Sequence, residues 1–186
     1  MSVNQTRFNM EEKYEWANKA NSDIQYESAY YRAYSANDDR PGSETDVPKL
    51  KHAFWSFLQA YQQIRFYHGA WVADSGKKGQ GNKIVDNWKG QFLTSDEIKA
   101  WDLMNTIRTA DTHDKPVLPN INVQIVRFVA GGAMLMAGGH YLGAGQKEVK
   151  INIQGIEHDL IWLSSTALLL LRRFIDTFDQ VVESAA

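Results

Sequence analysis

Arg108 and His113 stand five positions apart at the end of the segment Ile98–His113, IKAWDLMNTIRTADTH. An imidazole with an unperturbed pKa of about 6.5 can take or return a proton near neutral pH. A guanidinium stays charged, and its planar fork matches phosphate oxygens. Together the two groups can act on a phosphodiester without a metal: a base removes the proton of an adjacent 2′-hydroxyl, and a cation stabilises charge on the phosphorane. The same residues also admit a purely structural role. Arg108 would then pair with Asp111 or Asp114 to close a turn, and His113 would cap the helix end.

Other residues offer weaker chemistry. Thr112-His113-Asp114 and Glu157-His158-Asp159 are similar tripeptides whose histidines and carboxylates could ligate Zn²⁺ or Mn²⁺. No HExxH-type spacing holds them on one face, so neither a metal nor a cofactor is expected. The chain has no cysteine, which removes disulfides, thiolate catalysis and Cys-type zinc sites together. Lys77, Lys78, Lys83 and Lys89 fall in Asp74–Lys89, DSGKKGQGNKIVDNWK, read as a flexible basic loop able to make weak contact with an RNA backbone. GKKGQGNK lacks the ending of a phosphate loop and has no obvious preceding strand. His68 lies on an apolar helical face and reads as a satisfied core histidine. Arg65 and His52 are expected to be solvated or paired locally.

The elements that must position these residues are mainly helical. With 186 residues, 44% hydrophobic and a net charge of -2, the chain is expected to form one domain (1–186) without a general basic surface. A first helix spans about Tyr14–Ser35, with Ala17, Ala20, Ile24 and Tyr31 inward and Tyr26, Tyr30 and Tyr34 packed on a neighbouring helix. Asn37–Val47 is rich in breakers and reads as a loop. A second, long core helix starts at Pro48, with Leu50, Phe54, Phe57, Tyr61, Ile64, His68 and Trp71 on its apolar face.

The organising helix follows, with Thr94-Ser95-Asp96-Glu97 supplying a cap and early carboxylates. Ile98, Trp101, Met104 or Asn105, and Ile107 or Arg108 form its inner face, and Asp111, Asp114, Pro116 and Pro119 break it. Asn122–Ala130 and Glu148–Gln154 alternate and are β-branched, so they read as strands. GGAMLMAGGHYLGAG between them reads as a further strand or tight excursion. Glu157 to about Glu183 makes the last helix, apolar on more than one face, which points to a homodimer through that helix. The fold class expected is thus mainly α: a four-helix up-down bundle with a small antiparallel β insertion, about 121–155, before the last helix. The apolar runs Ile125–Gly145 and Leu160–Leu171 are interrupted or too short to span a bilayer. No signal peptide opens the chain. A soluble, cytoplasmic protein is expected.

The string IRTADTH, in which four residues separate Arg108 from His113, resembles the R-x4-6-H motif of HEPN domains. The order of elements is also similar: a long second helix, a Trp-containing connection, the motif at a helix end and a final long helix. Thr109 follows the arginine where active members usually carry Asn, Asp or His. The resemblance implies an α-helical bundle acting as a metal-independent endoribonuclease of toxin or defence type. His113 would be its general acid or base and Arg108 its phosphate clamp, paired across a dimer interface. It also implies RNA as substrate and a cognate antitoxin as partner. The other reading is a non-catalytic dimerisation or interaction module, such as an antitoxin-like or phage accessory protein.

Overall fold

The computed structural model describes residues 3–34, 48–113, 121–126, 136–137, 140–141 and 146–184. Its helices are α1 (Val3–Tyr34), α2 (Pro48–Asp74), α3 (Gly81–Phe92), α4 (Ser95–His113) and α5 (Leu160–Ser184). Between α4 and α5 come the short strands β1 (Ile121–Val126), β2 (Met136–Ala137), β3 (His140–Tyr141), β4 (Gln146–Ile153) and β5 (Ile156–Asp159). The mainly helical class and the small antiparallel insertion match expectation. The helix count does not: five helices are described where four were expected.

The additional helix is α3, inside the stretch read as a loop. Its Gly, Lys and Asn content hides a short amphipathic pattern in which Ile84, Val85 and Trp88 are buried. Trp88 donates from Nε1 to Thr177 Oγ1 at 2.9 Å, which fixes α3 on α5. Only residues 75–80 form the connection, where Gly76, with φ +79°, ends α2 in the left-handed region.

The core forms because the apolar stripes of α1, α2, α4 and α5 face one another. Leu50, Phe54, Phe57, Tyr61, Ile64 and Trp71 of α2 are buried, as their spacing predicts. α1 packs mostly on α2 and also on α5. Ala17, Ala20 and Ile24 are inward as expected. Tyr26, expected to pack on a neighbouring helix, is instead exposed, at 72% accessible, and Tyr30 is about half exposed. Arg172 of α5 clamps α1 through Glu11, with N–O distances of 2.6 and 2.8 Å, and reaches Asp176 at 2.9 Å.

Both apolar stripes of α5 are consumed within the chain. Leu160, Leu163, Ala167, Leu171, Phe174, Phe178 and Val181 are buried, and so are Leu168, Ile175 and Val182. The breadth that pointed to a second copy is therefore largely accounted for by α1, α2, α3, α4 and the sheet. The start of α5 also differs from expectation. Glu157-His158-Asp159 belongs to β5, and Asp159 caps the helix by accepting from the Trp162 N–H at 2.7 Å.

β1, β4 and β5 form an antiparallel sheet in that order, with Val123 opposite Val149 and Ile151 opposite His158. Gln154 and Gly155, both at positive φ, make the tight β4–β5 turn. β2 and β3 pair separately. The expected loop Asn37–Val47, the breakers Asp114, Pro116 and Pro119, and most of the Gly-rich excursion lie outside the described residues. Among the described residues, no helix is long and apolar enough to cross a membrane.

Candidate functional site

α4 carries both residues of the proposed pair, and its start is locally determined. Thr94 and Glu97 form a reciprocal capping box: the Thr94 N–H donates to Glu97 Oε2 at 2.8 Å, and the Glu97 N–H donates to Thr94 Oγ1 at 3.4 Å. These bonds hold the Glu97 carboxyl below its ordinary range, with Arg173 adding to the effect. Arg173 of α5 reaches Glu97 at 2.9 Å and the Phe92 carbonyl at 2.9 Å. The α3–α4 corner is thereby tied to α5. Ile98 is only partly buried and Ala100 is buried in addition, while from this corner Trp101, Met104 and Ile107 run into the core, as the spacing predicts.

Arg108 comes one residue after the last of these and is half-buried. His113 is the final residue of α4, so the helix runs through Asp111 rather than ending before it. The side chains of His113 and Asp111, and with them the suggested turn-closing and capping contacts, lie outside the described residues. Five residues advance an α-helix by about 7.5 Å and turn it by about 140°. The two backbone positions therefore share one helix but not one face.

The neighbourhood of Arg108 was not foreseen. α2 presents Tyr61, Arg65 and His68 along one face, and all three feel the positive charge of Arg108. Arg65, expected in solvent, is 8% exposed. Its guanidinium lies 4.6 Å from the centroid of Trp101 and 5.7 Å from that of Phe174. Burial pulls its pKa down, yet an arginine remains charged at any ordinary pH. Tyr61 packs edge-on to Trp101 at 5.9 Å, and burial pushes its hydroxyl up, so it stays protonated.

His68 behaves as a core histidine. Its Nδ1 is paired with the Arg65 carbonyl, and its ring meets Phe174 and Phe178 edge-on at 6.2 and 6.0 Å. Burial and then the Arg65 charge pull its pKa down to about 4, so it is neutral near pH 7. A neutral ring with Nδ1–H donating to the carbonyl keeps a second cation away from Arg65. The sequence signal for this cluster is Tyr61-x3-Arg65-x2-His68 on a stripe otherwise made of Leu, Phe and Ile. A basic residue inside such a stripe is easily assigned to the solvated flank.

Two of the four lysines are engaged within the fold. Lys77 donates to the Val182 carbonyl and lies 3.5 Å from that of Glu183, at the end of α5. Lys89 bridges Asp86 at 3.3 Å and Asp102 at 3.4 Å. Lys78 and Lys83 are exposed. His158 is half-buried on β5. Among the described residues no group of three His, Asp or Glu side chains is placed to hold a metal ion; the His113 half of that reading lies outside them. Comparison with protein-family profiles, curated proteins and solved structures finds no match for this chain.

Proposed function

We propose that the chain is a HEPN-like, metal-independent endoribonuclease of toxin or defence type, with His113 as acid–base and Arg108 as phosphate clamp. The observation that supports it best is the position of Arg108 and His113 at the end of one capped helix, with Arg108 beside a second arginine. In this reading His113 takes the 2′-hydroxyl proton and the 2′ oxygen attacks phosphorus. Arg108 holds the phosphorane oxygens, and the bond to the 5′ oxygen breaks. The 5′ oxygen leaves with the proton that His113 took, giving a 2′,3′-cyclic phosphate and a 5′-hydroxyl.

The offset of positions 108 and 113 around α4 favours a homodimer, in which a second copy supplies the complementary group. The up-down order of α1, α2, α4 and α5 belongs to the same proposal. Incubating labelled single-stranded RNA in EDTA with wild type, Arg108→Ala and His113→Ala tests it. Cleavage that both substitutions abolish while the fold persists supports the reading; equal cleavage by all three, or none, contradicts it.

A second reading, a non-catalytic dimerisation module of antitoxin-like or phage accessory type, draws on a different feature. Trp162 and Leu169, seven residues apart on α5, are 43% and 66% exposed. A stable dimer without RNA cleavage, dissociated by Leu169→Asp, favours it.

A further inference from the structure

The cluster between α2 and α4 contains more hydrogen-bond donors than the described residues satisfy. Arg65 Nε and Nη1, Tyr61 Oη and Trp101 Nε1 are buried and have no hydrogen-bond partner among the described residues. The indole N–H and the guanidinium can only donate. The rings of Trp101 and Phe174 meet the cation with π electrons, which are no substitute for lone pairs at its N–H groups. Asp86 and Asp102 act on Arg65 and Tyr61 only through their field, and Lys89 bridges both carboxylates.

A buried cation with unfilled donors calls for an anionic acceptor. A water could fill one or two of these positions but would leave the charge uncompensated. Nearby His68, neutral, supplies no negative charge, and Arg108 adds a positive one. Both are half-buried, whereas Arg65, Tyr61 and Trp101 are buried.

We propose that Arg65, Tyr61 and Trp101 form an oxyanion site for a phosphate-class ion, with Arg65 as its charge partner. The guanidinium donates through Nε and Nη1, and the phenol and indole donate to the remaining oxygens. This site goes beyond the ribonuclease reading, because it makes no use of His113 and stands whether or not RNA is cleaved.

Thermal unfolding of the whole protein in sodium phosphate or sodium chloride, at matched ionic strength and pH 7.5, tests it, with calorimetric titration of phosphate alongside. Phosphate is expected to raise Tm saturably over chloride. Arg65→Met, which keeps volume and removes charge, is expected to lose the difference, and Tyr61→Phe to weaken phosphate binding several-fold. A 5′-mononucleotide that competes with phosphate identifies an esterified phosphate as the occupant; one that does not identifies the free ion. Equal Tm in phosphate and chloride for the wild type overturns the proposal, whatever the variants do. So does a phosphate effect that survives in folded Arg65→Met. Should that variant not fold, undiminished phosphate binding by Tyr61→Phe overturns it instead. His113→Ala is expected to bind phosphate like the wild type, which separates this site from the cleavage reaction.

Discussion

The Arg65 guanidinium lies over the Trp101 ring at 4.6 Å, joining α2 to α4 about two turns before Arg108. A cation sandwiched in this way is costly to bury and valuable to stack, so the two partners should respond oppositely to truncation. Trp101 also meets Trp88 at 5.0 Å and Phe174 at 5.5 Å. Trp101→Ala is expected to cost about 3–5 kcal/mol in urea unfolding. Arg65→Met, in chloride buffer, should be neutral or stabilising by about 1–3 kcal/mol. A destabilisation of Arg65→Met as large as that of Trp101→Ala would show that the charge itself holds the helices together.

His68 sets a pH dependence. Its pKa is about 4 in the fold and about 6.5 in the unfolded chain, so only the unfolded chain gains a proton between these values. Stability is therefore full above pH 6.5 and falls as pH drops toward 4, by about 2–3 kcal/mol. Glu11 and Glu97, held below the ordinary carboxylate value of 4.5, contribute stability that is lost only below that pH. In the window from 6.5 to 4.5 the difference between wild type and a His68 variant therefore reports on His68. Urea midpoints of wild type and His68→Gln across it should converge on acidification; parallel curves would remove His68 as the cause.

Arg172 is expected to matter through geometry more than charge count. Its two bonds to Glu11 are bidentate and link α1 to α5, but both side chains are about a third exposed, which limits their worth. Arg172→Gln should destabilise by about 1–2 kcal/mol, and high salt should shrink the difference. Loss of less than about 0.3 kcal/mol, or no salt dependence, would assign the α1–α5 contact to apolar packing alone.

Much of this fold was legible in the sequence because long stripes are unambiguous. Leu50 to Trp71 and Leu160 to Val182 repeat at helical spacing for several turns, and T-S-D-E announced the capping box. α3 was missed because four apolar residues in twelve, diluted by Gly and Lys, are a weak signal without Trp88 known to reach Thr177. The start of α5 was misplaced because Glu-His-Asp resembles a first helical turn, and only the sheet register shows that His158 pairs with Ile151. For the site, α4 was foreseen as a helix leading to Arg108. Arg65 was not, since spacing places a residue on a face but cannot show that an aromatic ring waits to receive it.

The capping box offers a separate check on α4 as the positioning element. Thr94→Ala removes both hydroxyl contacts with Glu97 and is expected to cost about 1 kcal/mol. Fraying is confined to the first turn, so RNA cleavage at 25 °C should be unchanged. Lost cleavage with retained helicity would mean that the α4 N-terminus itself takes part in the site.

The measurement that bears most directly on the proposed activity is the chemistry of the product ends. RNA cut by the wild type in EDTA should carry 2′,3′-cyclic phosphate and 5′-hydroxyl ends, and a 2′-deoxy substitution at the cut nucleotide should block cleavage there. His113→Ala should produce neither end. Products with 3′-hydroxyl and 5′-phosphate ends, appearing only with Mg²⁺, would contradict an Arg108–His113 mechanism.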